Sequence, residues 1–182
     1  MAFEALIEFA NATYRNRGVA VVLKQSTRFI PIRDAGGAII TAKVEEKASV
    51  DYIGRYAGIP VALEAKHSEE PRIRFDRVEE HQKDYLDDWV RGDGAMAAVL
   101  VSFGMNRFFS VPWAFWRAAR EAWERGKEIV TVDAYGWSWR TPGMASVSAE
   151  QLLPSWEIRP GGEYGLNYLA IFDRMEASAH GK

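Results

Sequence analysis

The most constraining stretch of this chain is SVDYIGRYAGIPVALEAKH, residues 49–67. β-branched and aromatic residues fill it, and Ala57-Gly58 interrupts it near its middle, so it reads as a β-hairpin. A loop centred on Ala57-Gly58 sets Asp51 directly across from Glu64. Alternation along the second strand puts Glu64 and Lys66 on one face and Val61, Leu63 and Ala65 on the other. Opposed like charges destabilise a sheet, so this register calls for compensation: Lys66, a proton shared between the acids, or a divalent cation. Hard carboxylate oxygens suit Mg²⁺, Ca²⁺ or Mn²⁺. A bulge at Gly54 or a slip of one residue would pull the pair apart.

The rest of the composition narrows the choices. The chain has 182 residues, 48% apolar and 26% charged, which predicts one globular domain over 1–182 with its own core. No apolar run approaches the ~20 residues of a membrane span, and the opening MAFEALIEFANATY has no basic leader pattern. There is no cysteine. That excludes disulfides, thiolate zinc sites and cysteine nucleophiles, and it fits a cytoplasmic protein. His67, His81 and His180 do not fall at metal-ligand spacing on a helix, and no Gly-x-Ser-x-Gly elbow occurs. Net charge is −2, yet no acid lies between Phe9 and Arg33. Arg15, Arg17, Lys24, Arg28 and Arg33 from that stretch, with Lys43 and Lys47 after it, form a candidate phosphate-binding set.

Periodicity sets out the remaining elements. Phe3, Leu6, Ile7, Ala10 and Tyr14 predict a helix over 2–17 stopped by Gly18, with Glu4 and Asn11 sharing a face beside the apolar stripe. VAVVLKQ (19–25) predicts a central strand, and 26–47, with Pro31 and Gly36-Gly37, predicts an edge hairpin or a projecting arm. A second helix is expected over 76–91, with Asp76 and Glu79 as a capping box and Gly92 at its stop. Val78, Gln82, Tyr85 and Trp89 place Gln82 within its buried stripe. Strands follow at 95–103 and 107–111, then a helix opened by Pro112 whose Trp116, Ala119 and Trp123 pack into the core. Strands are expected at VDAYGWSWR (132–140) and YLAIF (168–172). The predicted class is α/β: a mixed sheet flanked by helices.

Asp51 followed a dozen residues later by Glu64-x-Lys66 is similar to the signature of the PD-(D/E)xK nucleases. More of the chain resembles one family within them: RecU, the Holliday junction resolvases. FEALIEFANATYRNRGVAVVLKQST resembles the RecU opening, ASVDYIGRYAGIPVALEAKH its metal-site hairpin, HQKDYL its His-Gln helix, and VSFGMNRFFSVP and YGLNYLAIFD its later strands and tail. The resemblance implies a restriction-endonuclease-like fold and Mg²⁺- or Mn²⁺-dependent cleavage of four-way DNA junctions by a homodimer, with recombination proteins as further partners. It implies Asp51 and Glu64 as metal ligands, Lys66 as catalytic lysine, Gln82 as a helix-borne site residue and Glu4 as a first-helix acid. Residues 28–47 would be the stalk. The alternatives are another DNA nuclease of the same superfamily and a non-catalytic junction-binding protein.

Overall fold

The computed structural model describes residues 2–46, 48–92, 94–132 and 138–180, and for 28–29, 43–46, 132 and 176–180 the backbone alone. Helix α1 (Ala2–Asn16) buries Phe3, Ile7, Ala10 and Tyr14, while Leu6, expected in the same stripe, is half exposed. It stops as anticipated. Gly18 takes φ +68°, and the amides of Val19 and Gly18 donate to the carbonyls of Tyr14 (2.9 Å) and Arg15 (3.0 Å), the paired bonds of a Schellman ending.

Strand β1 (Ala20–Lys24) lies at the edge of the main sheet, not at its centre. Only Ala20 and Val22 are buried; Val21 and Leu23 face outward, about half exposed. A β-branched run signals a strand, and this one fills a single buried face. Among the described residues, strands β2 (Arg28–Arg33) and β3 (Ile39–Glu46) pair only with each other. They form a separate ribbon closed by Asp34, whose Oδ1 accepts from the amides of Gly36 and Ala38, both at 2.9 Å. Ile30, Ile32, Ile39 and Ile40 on this ribbon (hereafter the arm) are exposed, and the ribbon is not an edge of the main sheet.

Strands β4 (Tyr52–Tyr56) and β5 (Ile59–Ser68) form the expected hairpin in the expected register, from Tyr52↔Leu63 to Tyr56↔Ile59 without a break. Ala57 (φ +48°) and Gly58 (φ +88°) make the two-residue turn with positive φ at both positions that matches strand twist. Gly54 is not a bulge. It is glycine because β1 lies so close that a Cβ there would sit 2.2 Å from the Val21 carbonyl oxygen.

After β6 (Arg72–Arg74) and a 3₁₀ turn at Phe75–Arg77 come α2 (Glu80–Trp89), β7 (Met96–Phe103), β8 (Arg107–Pro112) and α3 (Trp113–Glu124). Then follow β9 (Ile129–Val132), β10 (Ser138–Thr141), β11 (Ser146–Ser148), β12 (Glu157–Ile158) and α4 (Ala170–His180). Of the strand expected over 132–140, 138–140 lie in β10, which pairs with β9, and 133–137 lie outside the described residues. YLAIF is no strand: α4 begins within it and buries Ile171, Phe172 and Met175 on one helical face. A short apolar run does not separate strand from helix by itself.

The main sheet runs β1-β4-β5-β7-β8-β12. β5 and β7 are parallel and the other neighbours antiparallel, so it is the expected mixed sheet. All eight residues of β7 are buried, as befits a central strand covered on both faces. Phe3 of α1 stacks on Phe108 of β8, covering the face that α4 shares. On the opposite face α2 reaches β5 through Gln82, and α3 locks onto the segment before α2: Trp116 Nε1 donates to the Phe75 carbonyl at 3.2 Å. Trp116 and Ala119 are core residues as predicted, while Trp123 is half-buried beneath the Arg74 guanidinium. Among the described residues no helix is long and apolar enough to cross a membrane.

Candidate active site

The β4–β5 register carries the chain into the site. One residue before β4, the pairing continues, but side chains take over from backbone. The Asp51 amide donates to Glu64 Oε2 (3.2 Å), and the Ala65 amide donates to Asp51 Oδ2 (2.9 Å). The Asp51 carbonyl accepts from the Gln25 amide at 2.7 Å. Asp51 is therefore clamped between β1 and β5, with its carboxylate against the second acid.

Glu64 is fully buried at 0% exposure. Burial first, and the Asp51 charge second, push its carboxyl up to about 7, while Lys66 pulls the other way. Lys66 Nζ lies 2.7 Å from Glu64 Oε1. Gln82 closes the triangle: its Nε2 donates to the same Oε1 at 2.7 Å, and its Oε1 accepts from Lys66 Nζ at 3.2 Å. The buried amide has the partners it requires, and they are the site itself.

Gln82 is held from behind. The Glu79 amide donates to Gln82 Oε1 at 2.9 Å, so the capping box of α2 is Glu79 with Gln82, not Asp76 with Glu79. Asp76 belongs instead to the 3₁₀ turn, gripped by Arg74. An acid followed three residues later by Glu or Gln occurs in both frames, Asp76–Glu79 and Glu79–Gln82, and tertiary contact with Glu64 selects the later one. Arg120 of α3 was not anticipated. It is 8% exposed and donates through Nη1 to the Val78 carbonyl at 2.9 Å, through Nη2 to Glu80, and through Nε to Glu124 at 2.7 Å. Its grip on Val78 and Glu80 brackets the Glu79 cap. Its signal in the sequence is a lone arginine following Trp116 and Ala119 on an apolar helix stripe.

Glu4 does not join this group. Its Oε2 accepts from Lys24 Nζ at 2.8 Å, and Glu8 Oε1 accepts from the same ammonium at 2.7 Å. The Lys24 hydrogen bond holds the Glu4 carboxyl below its ordinary range. Asn11, on the same helix face as Glu4, turns inward and accepts from the Tyr168 hydroxyl. Among the described residues no third acid, histidine or cysteine joins Asp51 and Glu64 in a metal-binding group.

The candidate phosphate contacts have mixed fates. Arg15 is exposed at the end of α1. Arg17 pairs with Glu163 and lies over the Tyr164 ring, and Lys24 is engaged by Glu4 and Glu8. Arg33 Nη1 donates to the Gly37 carbonyl at 2.8 Å in the arm's turn. Arg28 and Lys43 sit on the arm's two strands, and Lys47 lies outside the described residues.

Asp51 and Glu64 offer the oxygen donors a hard divalent ion takes. Burial, with the neighbouring Asp51 charge second, is what raises the Glu64 carboxyl, and positive charge beside it opposes that rise. Lys66 supplies part of that charge.

The Holliday junction resolvase RecU of Staphylococcus saprophyticus is 26% identical over 189 aligned positions, covering 96% of this chain and 80% of the relative. Among solved structures, Hjc, a Holliday junction resolvase from the archaeal hyperthermophile Archaeoglobus fulgidus, matches with a TM-score of 0.36 and 13% identity, over 59% of this chain and 76% of that one. The family model for recombination protein U matches residues 1–135, a span holding the β4–β5 hairpin, α2 and α3, and the chain belongs to the RecU family.

Proposed function

We propose that this chain is a structure-selective endodeoxyribonuclease that resolves four-way DNA junctions by divalent-cation-dependent phosphodiester hydrolysis, on a restriction-endonuclease-like core. The carrying observation is the connected set of Asp51, Glu64, Lys66 and Gln82, with Glu64 and Gln82 buried, within the part of the chain that matches the family. Family membership and the resolvase name of the staphylococcal relative support the same reading.

Asp51 and Glu64 are the residues to hold Mg²⁺ or Mn²⁺; when bound, the ion supplies Lewis acidity at the scissile phosphate and acidifies water. The chain's own residues do the rest. Gln82 fixes Glu64 Oε1 and keeps Lys66 beside it. Lys66 places a positive charge where the attacking water is oriented and where charge develops in the transition state. Two such sites in a homodimer would cut opposing strands symmetrically, in the cytoplasm. The arm, with its exposed isoleucines and Arg33, is the element to enter the junction's open centre.

One preparation tests this with Mn²⁺ on a mobile four-way junction, a linear duplex and single strands. Preferential junction cleavage is expected. Asp51→Asn and Lys66→Ala should each lose cleavage while retaining junction binding. Preference for linear duplex, or full cleavage by either variant, overturns the proposal. Junction binding without metal uptake in calorimetry would favour a non-catalytic binder.

A further inference from the structure

Beyond its pairing with β4, strand β5 runs on with one edge open. The backbone ladder between them ends at Tyr52↔Leu63, while β5 continues to Ser68 alongside β7. Backbone groups of successive strand residues point to alternate edges. The Ala65 amide points to the β4 side, where the Asp51 carboxylate takes it. Ser68 points the other way, its carbonyl accepting from the Gly104 amide at 2.8 Å. The His67 carbonyl therefore faces the same open edge as Ala65, one alternation past Asp51. Glu64 is buried, but the four residues from Ala65 to Ser68 are all partly exposed.

Arg77 reaches this edge. Its Nη2 donates to the His67 carbonyl at 3.4 Å. The backbone that carries it is fixed on both sides. Phe75 is buried, with its amide donating to the Ala145 carbonyl at 3.0 Å and its carbonyl accepting from Trp116. Val78 is buried, with its carbonyl held by Arg120. The Arg77 side chain itself is exposed, and its bond to His67 uses one of five guanidinium donors. Among the described residues no acid pairs with it. Other cations around the site are paired: Lys66 with Glu64, Arg74 with Asp76, and Lys24 with Glu4 and Glu8. The nearby acids are also engaged. Asp76 is taken by Arg74, Glu69 bonds His67 Nε2 at 2.9 Å, and Glu79 lies 3.5 Å from His81.

From Ala65 to His67 is two residues, roughly 7 Å along a strand. An unpaired arginine thus stands about one nucleotide's length from the Asp51 carboxylate, on the solvent-open edge. A DNA strand brought to Asp51 and Glu64 meets two acids and, in Lys66, a single ammonium. A second cation beside them offsets the repulsion. We infer that Arg77 grips a phosphate of the cleaved strand, one step along from the phosphate at Asp51 and Glu64, and so sets which phosphodiester lies over the acids. Arginine forks match phosphate oxygens two at a time, and phosphate contacts fix register without reading sequence. The inference rests on the nuclease reading of the site and adds a strand-positioning contact to it.

The test uses the full chain, Arg77→Gln, and junctions carrying one uncharged methylphosphonate at each phosphate in turn around the cut. With Mn²⁺ and native protein, a methylphosphonate one step from the cut should lower kcat/KM about tenfold. Arg77→Gln should lose about as much on the unmodified junction, and the two changes together should cost little more than either alone. In metal-free binding, Arg77→Gln should show a log–log salt slope shallower by about 1, and Arg77→Lys, which keeps the charge, should retain the native slope. Losses of variant and modification that multiply at every position would reduce Arg77 to a structural residue and overturn the inference, as would native-like cleavage by Arg77→Gln. If the native protein cuts no junction, the nuclease reading fails, and the metal-free binding series decides for Arg77 alone. A phosphate whose neutralisation weakens native binding but not that of Arg77→Gln keeps it as a strand contact; the absence of any such phosphate removes it.

Discussion

Asp51 and Glu64 each complete the other's strand. The Asp51 amide bonds to the Glu64 carboxylate at 3.2 Å, and the Asp51 carboxylate takes the amide of Ala65 at 2.9 Å. The last rung of the hairpin is thus built from the two acids themselves. The sheet enforces their proximity, and stability is set against function at this one pair.

Substituting Asp51 separates these two effects. Asp51→Asn keeps an oxygen acceptor for the Ala65 amide and removes one of the two repelling charges. Cleavage should vanish, while the metal-free protein at pH 7 should be as stable as the native chain or more so by about 1 kcal/mol. Asp51→Ala removes the acceptor as well and leaves the Ala65 N–H unsatisfied, a loss of about 1–3 kcal/mol. Urea titrations of both variants in EDTA check the ordering; equal destabilisation of the two would contradict it.

Glu64 makes metal-free stability depend on pH. Its folded-state carboxyl, raised from 4.5 to about 7, binds its proton more tightly than in the unfolded chain. The stabilisation is therefore complete below about pH 4.5, declines as pH rises, and is gone above about 7. That shift corresponds to about 3 kcal/mol. Chemical denaturation in EDTA between pH 4.5 and 7.5 should show this fall. Glu64→Gln, which keeps an acceptor for Gln82 and loses the titrating group, should remove most of the slope.

Gly54 holds β1 against β4. A methyl group there meets backbone, with Val21 O at 2.2 Å and Val22 Cα at 2.6 Å, and no rotamer relieves it. Gly54→Ala should cost about 3 kcal/mol, the upper range for overpacking. It should also loosen the Gln25–Asp51 bond at the strand's end. Amide exchange on β1 and β4 should quicken, and cleavage should fall along with stability.

The hairpin was readable because register follows from a short turn and strict alternation, and that arithmetic holds for Glu64 on β5 and still for Asp51 one residue before β4. The position of Gln82 within the α2 stripe was readable from helical spacing for the same reason. Position within the sheet was not: the β-branched run of β1 looks the same at an edge as at the centre, and the apolar start of α4 fits either period. Glu4 illustrates a different limit. Sequence spacing places it on a face of α1 but cannot show that Lys24, twenty residues away, is aimed at it by the β1–α1 packing.

That pairing makes a prediction of its own. The Glu4–Lys24 bridge is about half exposed at both ends, and exposed ion pairs contribute at most about 1 kcal/mol. Glu4→Gln should leave Tm within a few degrees and junction cleavage within a few-fold of native. A loss comparable to that of Lys66→Ala would place Glu4 in the catalytic group after all.

Arg120 tests how far positioning extends behind the site. It contacts neither acid, yet it ties the Val78 carbonyl and Glu80 around the cap whose amide orients Gln82. Arg120→Met preserves much of the packed volume and releases that segment, leaving the Val78 carbonyl unsatisfied at a cost of about 1–3 kcal/mol. If Arg120 acts through Gln82, its loss should lower kcat about tenfold at a temperature where the variant is fully folded, with little change in KM for the junction. Gln82→Ala should lower kcat at least as much, and adding Arg120→Met to it should cost almost nothing further. Additive losses in that double variant would reduce Arg120 to a fold-stabilising residue.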